Sequence, residues 1–516
     1  MRLIKYFLIL GLTANLQAQY TNAPAGTDTN SLPLSMGEAI KLALEHNLEI
    51  RIEQYNPQIS SLTLKGSYGA YDPTLNLSAV HTYRKSEGQG YNAASGLPAP
   101  ASETDTDNFS TDIRGITPLG LSYDIGLVNV YQKGTRGGFD ENGNPVSSFF
   151  KQYSGDAGGL GSASLTQHLL KDFWVDQPRT VIMLDKMDLQ IREQALYAKV
   201  MDVVTRVETA YYDLIFAHTN LTVQEKAMEL ADKLVFENNQ KVKIGTMAPL
   251  DAKQAESQAA TAKADLLGAR NQLAGVETNL RQLLTDDYAK WQSERLAPSD
   301  PLPPEPPTFN LMDSWQKGLT MRPDLVQQRL DLEKRHITLK YNFNQLFPSL
   351  DLIGSYGLTG LDPKSFGGVY DDFRDRTAPH YSYGAILTLP LGNRKARADY
   401  KSGKLAVAQS LDILKKLEQD VMVEIDDAVK VARTNFEKIT ATRQAREFAD
   451  LALDAETKKL EAGKSTPFVV LQLQRDLTTA RSEEIRAKVD YFKALNQLSF
   501  RDGTTLEKNN IQVEVK

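Results

Sequence analysis

The chain has 516 residues, no cysteine, an apolar share of 41% and a formal charge of −6. That length is enough for several layers or domains, and the slightly acidic balance offers no basic surface suited to nucleic acid. The lack of cysteine rules out disulfide staples and a lipid-modified N-terminal cysteine, so no lipid anchor is expected.

The opening MRLIKYFLILGLTANLQAQ sets Arg2 and Lys5 ahead of an apolar core from Tyr6 to Leu12, with small residues near Ala18. This layout predicts a secretory signal peptide over 1–18, followed by an N-terminal linker over 19–33. Beyond it no apolar run approaches the ~18 residues that span a bilayer as a helix, so any membrane passage would be as a β-barrel. A first repeat is placed at 34–296. It begins with a helical pattern from Met36 to Gly66, followed by strands over about 73–169. YDPTLNLSAVHTY alternates with a period of two through Leu75, Leu77, Ala79 and Tyr83, a second alternating run carries Leu121, Tyr123, Ile125, Leu127 and Tyr131, and a return strand carries Ala163, Leu165 and Leu169. A long helix is predicted from about Trp174 to Asn238, reaching on the order of 100 Å at ~1.5 Å per residue. KIGTMAPLD then breaks the pattern: Gly245 suits a left-handed helix end and Pro249 the first turn of a new helix, which makes the break the tip of an antiparallel hairpin. In the descending helix Ala252, Ala259, Leu266, Leu273 and Leu280 recur every seven, interleaved with Ala255, Ala262, Ala269, Val276 and Leu283, a coiled-coil seam.

The Pro-rich stretch over 297–309 reads as a linker. A second repeat at 310–502 follows the same plan: a helical pattern from Met312 to Leu346, strands over about 348–391 including LFPSLDLIGSYGL and the run Tyr381, Tyr383, Ala385, Leu387 and Leu389, and a long helix from about Arg394 to Ala462. In EAGKSTPFV, Gly463 and Pro467 lie 218 residues beyond Gly245 and Pro249. The seam returns as Val470, Leu477, Glu484, Tyr491 and Leu498 with Leu473, Ala480, Ala487 and Ala494, broken by Glu484 alone; 503–516 is a C-terminal tail. Each descending segment is half the length of its ascending partner, so a 30- to 35-residue helix stacked on it would complete a cylinder of pseudo-continuous helices. Four or six strands per protomer are too few to enclose a water-filled lumen, and several protomers would share one barrel.

No enzyme is expected, and no cofactor or metal. GKS at Gly463 to Ser465 lacks the earlier P-loop glycine, whose place Lys458 takes, and follows a helix. GLGSAS from Gly159 lacks a third glycine, and the six histidines show no ligand spacing. A periplasmic adaptor is the rival architecture, but it would show one hairpin rather than two in tandem with barrel-like strands.

On RPDL at Arg322 to Leu325, FPSLDL at Phe347 to Leu352, LTQHLLKDF at Leu165 to Phe173, LTLPLGNRKAR at Leu387 to Arg397 and the repeated tips, the chain resembles the TolC-like outer-membrane efflux family over nearly all of its mature length. The resemblance implies a homotrimer with a lipid-embedded β-barrel in the Gram-negative outer membrane, continuous with a periplasmic α-helical barrel. It implies a passive exit duct for efflux or type I secretion, docked on a periplasmic adaptor and an energised inner-membrane transporter. Gly245, Thr246, Pro249, Gly463, Lys464, Ser465 and Pro467 would form the docking tips, with Lys241, Lys243, Lys458 and Lys459 beside them. Relatives narrow the periplasmic entrance with aspartates on the second hairpin and close it with a tyrosine and an arginine that pair with an acid on the first. Here the acid is Asp251, while Leu460 stands for the tyrosine, Ser465 for the arginine, and Val469 and Gln472 for the aspartates. The expected entrance is therefore an apolar and amide constriction, with Asp251 and Lys464 as the available ion pair.

Overall fold

The computed structural model describes residues 31–88, 96–98, 100–157, 163–292, 294–301 and 310–513. The signal peptide, most of the 19–33 linker, residues 302–309 of the Pro-rich linker and most of GLGSAS lie outside them. The fold is mixed α/β and mostly helical. In chain order it comprises β1 (Ser31–Leu34), α1 (Met36–His46), α2 (Leu48–Ser67), β2 (Thr74–Ser86), β3 (Ser102–Ile116), β4 (Leu121–Phe139), β5 (Pro145–Ala157), β6 (Ala163–His168), α3 (Gln177–Lys243), α4 (Pro249–Leu284), α5 (Tyr288–Trp291) and β7 (Arg295–Pro298). There follow α6 (Leu311–Met321), α7 (Pro323–Asn344), β8 (Ser349–Asp362), α8 (Phe366–Asp375), β9 (Pro379–Thr388), α9 (Arg394–Glu461), α10 (Pro467–Arg501) and α11 (Thr505–Lys508).

Two segments that read as single helices are each divided. Asn47 adopts an extended conformation between α1 and α2, where its side chain caps α2 by accepting from the Glu49 and Ile50 amides. Arg322 is extended between α6 and α7 because Pro323, at the first position of α7, disfavours a helical residue before it. Both divisions fall where helices stack end to end. Asn47 Nδ2 donates to the Leu283 carbonyl at the end of α4 (2.9 Å), placing α2 on α4. Arg322 Nη1 donates to the Arg501 carbonyl at the end of α10 (3.3 Å), and Glu424 of α9 accepts from both guanidinium groups, so α7 sits on α10.

α3 and α4 form one antiparallel hairpin, α9 and α10 the other, and α3 packs on α10. The helices therefore lie side by side as α2, α3, α7, α9 at the sheet end and α4, α3, α10, α9 at the tip end, with α9 at one edge throughout. The largest apolar cluster sits midway, where Leu196, Val200, Val207, Leu214, Leu280 and Leu284 are fully enclosed, each by about 1.5–3 kcal/mol of transfer free energy. Ala297 and Pro298, read as linker, end β7 and pair in parallel with Pro33 and Leu34 of β1. The C-terminal tail is likewise built in: α11 leads Leu506, Ile511 and Val513 back onto this cluster.

The large sheet is antiparallel, in the order β2-β3-β4-β5-β8 with β9 beyond β8. β6 pairs with both β4 and β8 below β5, so β5 and β6 occupy one strand position in succession. Six strand positions result among the described residues, which decides between the four and six left open by the sequence.

Candidate functional site

Both tips end their ascending helices in the same way. Gly245 (φ +78°) and Gly463 (φ +71°) take the left-handed conformation. The amide of the following residue reaches back to the helix, Thr246 to the Lys241 carbonyl (3.0 Å) and Lys464 to the Lys459 carbonyl (2.8 Å), while the glycine amides reach the carbonyls of Val242 and Leu460. This is the Schellman arrangement, which satisfies the last carbonyls of a helix. Pro249 and Pro467 open α4 and α10, where a missing amide hydrogen costs nothing.

The tips differ in their side chains. Thr246 is exposed, and its hydroxyl donates to the Lys241 carbonyl. Ser465 is half-buried: its Oγ donates to Glu456 Oε1 (2.5 Å), while Glu456 Oε2 holds Lys459 (2.8 Å). Lys459 and then Ser465 hold the Glu456 carboxyl below its usual range. Glu456 was not anticipated from the sequence, because the contact joins residues across the tip. Lys458 is tied to Asp454, whereas Lys241, Lys243 and Lys464 stand exposed.

Asp251 lies in the first turn of α4, a position a helix dipole favours for a carboxylate. Among the described residues of one chain it makes no ion pair with Lys464. Leu460 is half-buried at the end of α9; Val469 and Gln472 are exposed. Gln472 and Phe468 face Gln254 and Gln258 of α4 across a cleft between the hairpins. Glu484, the break in the seam, is buried in α10, where Arg446 (2.6 Å) and Lys488 (2.8 Å) enclose it. Burial pushes its carboxyl up, but Lys488, Arg446 and Arg443 outweigh that and hold it low.

At the other end of the molecule the sheet has two unlike faces. On one, Leu75 and Leu77 of β2, Ile125 of β4, Leu165 of β6, Leu352 of β8 and Tyr381 and Tyr383 of β9 are exposed, Tyr383 by 85%. On the other, Asn76 donates to Asp112, Ser78 bonds Ser110, Ser355 bonds Ser382, and His168 bonds Asp351. An apolar band backed by a polar face is the pattern of a wall between lipid and water. α8, absent from the sequence reading, packs on the apolar side above this band: Val369 lies over the paired Gly155 and Gly360, where an added Cβ would sit 2.7 Å and 2.9 Å from its Cγ1.

The family model described as outer membrane efflux protein matches residues 315–504. The chain is 21% identical over 362 residues to outer membrane protein TolC of Escherichia coli (strain K12), covering 69% of this chain and 72% of that protein. It is 24% identical over 344 residues to outer membrane protein TolC of Vibrio cholerae, covering 64% and 75%. The Campylobacter jejuni CmeC outer membrane channel superposes with a TM-score of 0.65 at 13% identity, covering 91% of this chain and 86% of that one. The outer membrane protein VceC of Vibrio cholerae gives 0.61 at 16% identity, covering 91% and 96%. Family model, sequence relatives and fold agree: residues 315–504 match the outer membrane efflux family, and most of the chain is similar to TolC-like outer-membrane efflux proteins, channels of the Gram-negative outer membrane that extend into the periplasm.

Proposed function

We propose that three copies of this chain close into a passive exit duct for efflux of small molecules or for type I secretion. Its hairpin tips would meet a periplasmic adaptor and an energised inner-membrane transporter. The observation that carries this reading is that sheet and helices end at the same two edges. β2, which follows α2, forms one border of the sheet, and β9, which leads into α9, forms the other. α2 and α4 border the helices on the β2 side, and α9 borders them on the β9 side. A strand edge beside an exposed apolar face is not tolerated in lipid, because its unpaired amides and carbonyls have no water. Pairing β9 of one copy with β2 of the next removes both edges and is a head-to-tail contact, which gives a ring when its rotation closes, here at three copies. α2 carries a matching unpartnered stripe, Leu48, Ile52, Tyr55, Ile59 and Leu62, all exposed in the single chain and spaced for a helical neighbour. The two hairpins per chain would give six around a threefold axis, each tip presenting the polar end built by Gly245, Thr246, Gly463 and Lys464.

Chemical cross-linking in native outer membranes tests this. The ladder should stop at three, and an in-frame deletion should sensitise cells to exported compounds. A dominant monomer that still conducts ions in planar bilayers would defeat the reading. Recovery of the mature protein from the periplasm without detergent would favour a soluble adaptor instead.

A further inference from the structure

Between β2 and the return strand the chain makes a long excursion, β3 and β4, joined by a tight turn at Thr117–Gly120. We infer that this hairpin is a membrane-spanning part of the barrel wall whose outer face contacts lipid acyl chains, so that three copies close on eighteen strands. The step to eighteen rests on the trimeric duct proposed above; the lipid contact of the hairpin does not.

Three observations converge. The first is reach. The strand ends that lead to or from α2, α3, α7 and α9, namely the starts of β2 and β8 and the ends of β6 and β9, all lie at one end of the sheet, opposite α8. The β3–β4 turn descends to that same end and is held there: Arg179, in the first turn of α3, donates from Nε and Nη2 to the Pro118 carbonyl and from Nη1 to the Phe173 carbonyl (2.9 Å). Gly120 (φ +81°) lets the turn pass close to the Phe173 carbonyl. A loop projecting from the far end would not touch the start of α3.

The second is alternation. Phe109 and Ile113 of β3 and Ile125 of β4 are exposed on the face that carries Leu75 and Leu77, since Leu75 pairs with Ile113 and Ile113 with Ile125. The opposite face of the same strands holds Asp112, Arg114 and Ser110, which bond one another or β2. Beyond Phe109 the first face turns polar with Asp107, Asp105 and Glu103, so its apolar stretch is the half nearer the turn, and an extracellular hairpin has no reason to make that half apolar.

The third is tilt. Following paired residues from Leu77 leads through Thr111, Leu127 and Ala157 to Leu358 on β8. The exposed apolar residues on that face of β8 are instead Leu352 and Tyr356, centred four residues lower. Four residues are about 13 Å along the strand, against about 19 Å across the four steps from β2 to β8, an angle of about 35°. Strands of membrane barrels tilt by about 35–45° from the axis, so a band level with the membrane drifts across the register in this way. The drift is shared out over β3 and β4; if they left the membrane, the band would have to jump between β2 and β6. Closed barrels of about 16–18 strands leave an aqueous channel.

The chain has no cysteine, so single cysteines can be placed without background. Spin labels at Phe109→Cys, Ile113→Cys and Ile125→Cys, in trimers reconstituted into phosphatidylcholine vesicles, should be relaxed by oxygen and shielded from a water-soluble nickel chelate. Labels at Ser110→Cys and Ser122→Cys should show the reverse. Each variant is first checked for the heat-resistant oligomer, and the five sites on two strands make the pattern independent of any one that misfolds. Electron cryomicroscopy of the wild type should then count eighteen strands. Nickel access at both sets of positions, or a wall of twelve strands with the hairpin outside it, would overturn the inference while leaving a trimeric duct intact. A cross-linking ladder that does not end at three would defeat the eighteen while leaving the alternation to decide the lipid contact.

Discussion

Single residues carry much of what distinguishes this chain. Gly245 and Gly463 have positive φ, and nothing lies within 4 Å of where a Cβ would stand, so Gly→Ala at either tip costs only backbone strain, about 1–2 kcal/mol. The bulkier Gly245→Leu with Gly463→Leu adds a side chain projecting from the end of the molecule. If the tips dock, this double variant loses export in a drug-sensitivity assay while cross-linking still shows trimers; normal export would remove the tips from the interface. Glu208 offers a pH test. It is buried beside Lys508 (3.6 Å) and accepts from Asn509 (3.2 Å), with Oε2 unpartnered, and burial raises its carboxyl above the usual range. A raised folded-state value means that its favourable contribution is complete below the unfolded pKa and is lost as pH rises through the folded one. Glu208→Gln should therefore melt higher than wild type at neutral pH, and the difference should fade as pH falls toward about 4. A pH-independent difference would show that Glu208 does not titrate in this way. Glu49 runs the opposite way: Arg206 and Lys199 hold it at about 2, so its contribution is present at neutral pH and is lost progressively as pH falls from the ordinary carboxylate range through about 2.

At the scale of elements, Arg179 ties the β3–β4 turn to α3 through three donors, and hydrogen bonds from charged groups are worth about 1.5–3 kcal/mol each when a partner is lost. Arg179→Ala should lower the temperature at which the oligomer dissociates on a gel and expose Thr117–Gly120 to protease, and Arg179→Lys should recover part of the loss. Unchanged dissociation would show that the turn is held by the strands alone. Arg179 was invisible in the sequence because its partners are carbonyls of remote residues. The long helices, by contrast, were legible to within a few residues, since seams such as Ala252, Ala259 and Leu266 are written at fixed spacing and Gly and Pro mark the ends. β4 was legible in part through its alternating leucines and tyrosines. β3 was not, because SETDTDN fills its outer half with polar residues, and the apolar pattern survives only at Phe109 and Ile113. α8 was missed for the opposite reason: its ten residues hold two glycines and four acidic or basic groups beside Val369 and Phe373, which pack on Gly155 and Gly360. At the tips the glycines and prolines were readable, and the Glu456 contacts that immobilise Ser465 and Lys459 were not.

For the whole molecule, the consequence that reaches furthest is electrostatic. In a threefold duct every residue at the entrance becomes a ring of three, and a ring of carboxylates in a narrow pore concentrates cations and binds multivalent ones, because like charges at short range have few counterions. The residues at the expected ring positions are Val469 and Gln472, both exposed at the start of α10, and the cleft that Gln472 lines with Gln254, Gln258 and Arg475 holds no carboxylate. Asp251 does not supply the missing ring by default, since its place in the first turn of α4 already gives its carboxylate a local role. The nearest acidic group that the tip fixes, Glu456, is neutralised by Lys459 and bonded to Ser465. The entrance is therefore expected to close by packing of apolar and amide groups. In planar bilayers the wild type should pass current without block when trivalent cations are added on the periplasmic side. Val469→Asp with Gln472→Asp should create a block that is relieved by high salt, as a screened surface charge requires. Strong block of the wild type at low cation concentration, unaltered by these two substitutions, would place the constriction at other residues, with Asp251 the first to be replaced.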